Sequence, residues 1–190
     1  MTTLADLEQR RPTRADARRN YDALITAARE AFAELGPTAA LEEIARRAGV
    51  GIATLYRNFP TRDALVEGVY FDEVEGLAAA AAEFSALPEW DGLVAWLNRF
   101  VTYAGTKRVL IEALGRNTEA MRSCRDMLYG AGGPMVERAQ AAGVVRQDTD
   151  IDDIMRMVTG ISAYTFASTE QRDRVLAIAF DGLRAAAKEK

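Results

Sequence analysis

Residues 41–60, LEEIARRAGVGIATLYRNFP, read as two short helices that meet at a sharp turn, and the fold follows from them. Leu41, Ile44, Ala45 and Ala48 recur at spacings of three, four and seven, which gathers apolar side chains on one face of a helix. Gly49 ends that helix, because glycine accepts the left-handed conformation often found just past a helix end. Val50 plugs the angle of the turn. A second helix starts after Gly51, with Ile52, Leu55 and Phe59 facing inward and Thr54, Tyr56, Arg57 and Asn58 facing outward, and Pro60 closes it. A helix-turn-helix lays its second helix in the DNA major groove, where a hydroxyl, a phenol, a guanidinium and an amide suit phosphates and base edges. Taken alone, so short a pattern is also met in ordinary helical hairpins with a solvated outer face.

The longer segment AGVGIATLYRNFPTRDALVEGVY, residues 48–70, combines the turn, an aromatic second helix and the TRDAL start of a third. It resembles the amino-terminal domain of tetracycline-repressor (TetR) type regulators, a likeness that spans roughly residues 15–75 by motif. The resemblance implies an all-α protein of about nine helices, with a three-helix amino-terminal helix-turn-helix domain and a larger helical domain for ligand binding and dimerisation. It implies a transcriptional regulator, a repressor released from a palindromic double-stranded DNA operator by a small hydrophobic effector. The DNA-binding set it implies is Arg18, Gly51, Ala53, Thr54, Leu55, Tyr56, Arg57, Asn58 and Arg62. One departure stands out. Related proteins carry a threonine or serine at the amino end of the helix before the turn, whereas this chain has Ala39-Ala40-Leu41. Thr38 is then expected to cap that helix, with Glu42 and Glu43 favoured near its positive end.

The charge is uneven along the chain. The formal net charge is -4, yet residues 10–62 hold ten arginines against six acids, and residues 63–190 hold fourteen basic and twenty acidic residues. The basic end is the one expected to meet DNA, since the distribution of charge matters more than its total. With 190 residues the chain can bury a substantial core, and no apolar run approaches the roughly 18 residues of a membrane helix. Cys124 is the single cysteine, so no intramolecular disulfide can form. The start, MTTLADLEQRRPTR, lacks the apolar core of a signal peptide, and a cytoplasmic location is expected, with no membrane partner.

In order along the chain, residues 1–15 read as a flexible basic arm, with Arg10, Arg11 and Arg14 around Pro12. Tyr21, Leu24, Ile25, Ala28, Phe32 and Leu35 form the stripe of a first helix that stops at Gly36-Pro37, so the DNA-binding domain spans 16–62. Arg18 and Arg19 lie in its first turn, facing the DNA backbone. Thr61 is a suitable N-cap for a connecting helix over 63–83, with Arg62 placed to hold a phosphate. The ligand-binding and dimerisation domain then occupies 84–190, with breaks expected at Leu87-Pro88, Gly105-Thr106, Gly115, Gly130 to Pro134 and Gly143.

Trp96, Phe100 and Tyr103, and further on Met121, Cys124, Met127 and Leu128, recur at helical spacing and are candidates, together with Tyr164, to line a small-molecule pocket. Aromatic and methionine stripes are more often plain core. The last two helices, read as 150–167 and 169–188, are apolar on more than one face, which leaves one face for the core and another for a second copy through 151–187.

Enzymatic chemistry finds little support. The chain contains no histidine, which removes the usual general base and the commonest metal ligand. Zinc-type cysteine spacing, a phosphate-binding G-x-x-x-x-G-K-[ST] loop and a dinucleotide G-x-G-x-x-G are all missing, so no cofactor is expected. Asp152-Asp153 and Glu42-Glu43 are adjacent acids, which point in different directions on a helix. The rival reading is a helical small-molecule-binding or interaction protein that does not bind DNA; loss of Thr54, Tyr56 or the flanking arginines would favour it, and all are present.

Overall fold

The sharp turn at the centre of the motif rests on a single backbone angle. Gly49 has a φ of 69°, the left-handed region that costs glycine little. Two hydrogen bonds close the helix end there, Gly49 N–H to the Arg46 carbonyl at 3.1 Å and Val50 N–H to the Ala45 carbonyl at 3.0 Å. This pair is a Schellman motif, which satisfies carbonyls that the helix itself leaves without donors. The chain can therefore leave the first short helix and start the second within four residues.

The computed structural model describes residues 11–36, 38–114 and 119–186. Eight α-helices are present among them: α1 (Ala15–Leu35), α2 (Leu41–Arg47), α3 (Ile52–Asn58), α4 (Arg62–Phe84), α5 (Glu89–Leu114), α6 (Glu119–Ala141), α7 (Ile151–Ser162) and α8 (Thr169–Asp181). The described residues form no strand; an isolated antiparallel bridge joins Val145 and Arg184. The chain divides into two compact units, 1–75 with 106–125 and 76–105 with 126–190.

In the first unit α1, α2 and α3 pack on one another. Tyr21, Leu24, Ile25 and Phe32 of α1 are buried with Ile44 of α2, Leu55 of α3 and Phe59, and the rings of Tyr21 and Phe59 lie 4.9 Å apart. The apolar stripe of α1 ends one turn early, because Leu35 is exposed at the helix end. Ile52 likewise departs from its expected inward position: it is the first residue of α3 and is 36% exposed, one turn away from the fully buried Leu55. Thr38 does not cap α2; the N-cap is Ala40, and no side chain serves it. Thr61 does cap α4, its hydroxyl accepting from Ala64 N–H at 3.1 Å.

Charged contacts fasten α1 to the part of α4 in this unit. Arg29 pairs with Asp72 at 2.6 Å and with Glu73, while Arg11 donates to Glu75 at 2.8 Å and to Asp22 at 3.2 Å. Arg11 falls within the stretch read as an arm, of which residues 1–10 lie outside the described residues.

The second unit is organised around Trp96, whose indole is fully buried and donates its N–H to the Leu77 carbonyl at 3.0 Å. A buried tryptophan needs such a partner, since its N–H would otherwise be desolvated without compensation. Gly132 of α6 sits so close that a Cβ there would fall 2.4 Å from the Trp96 ring. That close approach explains why the chain spends a glycine in a helix. The expected breaks at Gly105-Thr106 and at Gly130 to Pro134 are not breaks: the first lies inside α5 and the second inside α6. Proline at 134 removes one backbone donor, and both Pro134 and Gly130, whose carbonyl that donor would have met, are exposed, so water can replace it. The breaks at Leu87-Pro88 and Gly143 are observed, whereas Gly115 lies outside the described residues.

Arg138 closes the connection between α4 and α5 by donating to the Ser85 carbonyl at 2.6 Å and the Leu87 carbonyl at 3.3 Å. The adjacent acids Asp152 and Asp153 have structural work. Asp153 and Asp150 form the capping box of α7, and Asp152 accepts from Tyr129 at 2.8 Å and Arg156 at 2.5 Å. Helix α7 ends at Ser162, before the expected 167, and Ser168 then caps α8 by accepting from Gln171 N–H at 3.2 Å.

Candidate nucleic-acid interface

Helix α3 is seven residues long and holds its place through Leu55, which is fully buried, and Phe59 just beyond its end. With those two turned inward, the 3.6-residue period turns Ala53, Tyr56 and Arg57 outward, and all three are exposed, as is Gly51 at the N-cap. Tyr56 is 46% exposed, a large aromatic side chain open to solvent. Gly51 and Ala53 present no bulk, which lets a ligand come near the backbone at the start of the helix.

The polar groups of α3 are ordered by one another. Arg57 Nη2 donates to Thr54 Oγ1 at 3.2 Å, and Asn58 Nδ2 donates to the Thr54 carbonyl at 2.8 Å. Thr54 and Asn58 are half-buried, so Asn58 is less free than its outward position suggested, although its side-chain oxygen keeps its capacity to accept. Arg18 on α1 is exposed and lies 3.8 Å from Asp22. Arg62 is half-buried and donates from Nη1 to the Ala39 carbonyl at 2.7 Å.

Helix α2 carries a cluster that motif reading passed over. Glu43 accepts from Arg46 through both carboxylate oxygens at 2.8 Å and from Arg47 at 2.8 Å, and Arg47 also reaches Glu34 of α1 at 2.9 Å. The hydrogen bonds from Arg46 and then Arg47 hold the Glu43 carboxyl at about 2, below its ordinary 4.5. The i to i+3 and i to i+4 spacings of 43, 46 and 47 were legible in the sequence; the link to Glu34 was not.

The eight residues proposed to line a pocket fall into different settings. Trp96, Phe100 and Tyr103 lie together on α5, fully or almost fully buried, with ring centroids 6.3 and 5.7 Å apart in succession. Cys124 and Leu128 are buried on α6, while Met121 and Met127 are half-buried. Tyr164 is 76% exposed in the segment after α7, its ring edge-on to Phe166. The second unit also has surface clefts with other linings. One, of about 450 Å³, runs between α7 and α8 past Met157 and Ile178. Another, of about 280 Å³, has Trp90, Leu176 and Phe180 in its walls, with the Arg184 guanidinium 4.0 Å above the Trp90 ring.

Residues 24–69 match the amino-terminal model described as bacterial regulatory proteins, tetR family, and residues 89–185 match the C-terminal domain of SbtR-like transcriptional regulators. The chain belongs to the TetR family. Among solved structures, a TetR transcriptional regulator from Streptomyces coelicolor is 36% identical, with a TM-score of 0.76, covering 88% of this chain and 99% of its own. A TetR transcription regulatory protein from Mycobacterium vanbaalenii is 33% identical with a TM-score of 0.75, covering 92% of this chain and 100% of its own. No match was found among curated protein sequences. The first family match contains α2 and α3 entire, so the helix-turn-helix of this TetR-family regulator is the one built around Gly49. Among the described residues no helix is long and apolar enough to cross a membrane.

Proposed function

We propose that this regulator is a non-enzymatic, cytoplasmic repressor that binds a palindromic DNA operator as a homodimer and leaves it when a small hydrophobic effector binds the domain beyond residue 84. The observation that carries the DNA-binding reading is α3 itself, where Leu55 is fully buried while Tyr56 and Arg57 stand exposed beside Thr54 and Asn58. Thr54, Tyr56, Arg57 and Asn58 are assigned to phosphates and base edges, Gly51 and Ala53 to close backbone approach, Leu55 to anchoring the helix, and Arg18 to the DNA backbone. Arg62 belongs to the same interface. The domain division follows, with 16–62 binding DNA, 63–83 connecting, and 84–190 binding effector and partner.

The second copy is assigned to α7 and α8, through 151–187. Ile178 is 73% exposed and Val175, Ile161 and Met157 are half-exposed, an apolar face that water solvates poorly. Two-fold symmetry then spaces the two α3 helices for successive major grooves about 34 to 36 Å apart, which makes the operator palindromic. For the effector, Trp96, Phe100, Tyr103, Met121, Cys124, Met127 and Leu128 are the apolar set, and Tyr164, so exposed in one copy, can enclose a ligand only with help from another. The test is selection of a duplex by the protein from a random-sequence library. A palindromic sequence bound by a dimer is expected, and a folded protein that selects nothing would remove this reading.

A further inference from the structure

We infer that Arg62, beyond its place in the DNA interface, is a positioning residue, a brace that ties together the two ends of the helix-turn-helix. This rests on the reading of α3 as the DNA-reading helix. The bond from Arg62 Nη1 to the Ala39 carbonyl, 2.7 Å long, joins residues 23 apart. Those two residues stand just outside the motif. Ala39 lies two residues before α2, Arg62 is the first residue of α4, and α2, the turn and α3 lie between them. A bond at this place closes the segment into a loop, which lowers the freedom of everything inside it.

Among the described residues no side chain caps the start of α2, and the bond to Ala39 fixes the backbone that leads into it. Its N-cap is Ala40, with φ -64° and ψ 133°, a backbone geometry suited to a capping side chain that alanine does not have. The bond reaches the residue next to it. Ala39 is buried, its N–H donates to the Gly36 carbonyl at 3.1 Å, and its own carbonyl receives Arg62, so both backbone polar groups of the residue before the cap are held. Arginine suits the task because its planar fork holds direction, and a half-buried fork aimed at a backbone carbonyl is directed at the protein. At the other end Thr61 caps α4, which fixes the helix from which Arg62 projects. Slack at residue 39 would let α2 shift, and α3 packs on α2.

The test uses the full-length chain with Arg62→Gln and has two halves. In DNA-free protein, exchange of the Ile44 amide, which bonds to the Ala40 carbonyl at 3.2 Å, is expected to quicken about tenfold in the variant, while amides in the middle of α1 stay protected. Unchanged exchange at Ile44 overturns the brace. In the second half, affinities are measured across a salt series for a duplex that the wild type selects from a random library and for a scrambled duplex of equal length. The brace predicts a loss for the selected duplex about tenfold greater than for the scrambled one. A phosphate contact alone weakens both duplexes equally and flattens the slope by about 0.9, and such an equal loss overturns the inference. A lower melting temperature with both affinities intact overturns it too. If the wild type selects no duplex, the DNA-binding reading falls while amide exchange still decides the brace. If Arg62→Gln does not fold, Arg62→Gln with Ala40→Ser decides: a folded α2 restored by the new cap supports the brace, and continued failure overturns it.

Discussion

Helix α3 and helix α8 both leave side chains uncovered, and they do so in opposite chemical terms. On α3 the uncovered polar groups are a phenol and a guanidinium, which water satisfies while the protein waits for a ligand. On α8, among exposed polar groups, the large apolar side chain left uncovered is Ile178, at 73%, with Val175 and Ala179 half-exposed beside it, and water gains nothing from them. A polar outer face is stable alone and therefore says little about its partner without a motif, whereas an apolar outer face argues for a partner even where no motif is present. The amino-terminal reading rests on pattern, and the carboxy-terminal one on energetics.

The strongest way to break this contrast is to attack what lies beneath each face. Phe59→Ala removes a fully buried ring that stacks near Tyr21, and a loss of about 3 to 5 kcal/mol is expected by denaturant unfolding, taking DNA binding with it. A loss below 1 kcal/mol would mean that Phe59 does not anchor α3. Next comes Ile178→Asp, which adds charge to the α8 face without touching buried groups. Sedimentation should show monomers, and operator affinity should fall by about two orders of magnitude or more with the melting curve of each unit preserved. A dimer that survives the substitution places the interface elsewhere.

Tyr56→Ala leaves the core of the first unit alone and should reduce binding to every duplex below detection, measured by fluorescence anisotropy on a folded protein. Retained affinity removes Tyr56 from the interface. Asn58→Ala is a finer probe, since its amide is already spent on the Thr54 carbonyl. If its oxygen reads a base, preference at one operator position should relax by roughly 1 to 3 kcal/mol while other positions keep theirs.

The smallest effect concerns pH. Glu43 titrates at about 2 in the folded protein against an ordinary 4.5, because Arg46 and Arg47 hydrogen-bond to it. A lowered folded value means that its contribution is fully present above about pH 4.5 and is lost as pH falls toward 2. The melting temperature of Glu43→Gln should therefore lie below that of the wild type at neutral pH, and the gap should narrow as the pH is lowered from 5 to 3. A gap that stays constant would show that the carboxylate charge is not what Glu43 contributes.

Several features of the head could be read directly, and others could not. The buried positions Ile44, Leu55 and Phe59 follow from periodicity, and the turn at Gly49 from the absence of a Cβ, since both causes lie within a few residues of their effects. Ile52, 36% exposed, departs from the face that periodicity assigns because it is the first residue of a short helix, where burial on that face is incomplete. Thr38 is near enough to look like a cap, yet the helix begins three residues later, and helix starts are decided by packing as much as by propensity.

Local chemistry thus determined the helical class, the helix-turn-helix, its outward polar groups and the absence of histidine-based chemistry, because each depends on residue type at short spacing. Tertiary structure alone decided the rest. It carried the chain as helix through Gly130 to Pro134, where Gly132 lets α6 approach Trp96. It separated the buried Trp96, Phe100 and Tyr103 from the exposed Tyr164, a distinction that hydrophobicity does not encode. It turned Arg62 toward the carbonyl of Ala39, 23 residues away. A donor finds the acceptor that folding brings near it, and the spacing of letters along the chain carries no measure of that distance.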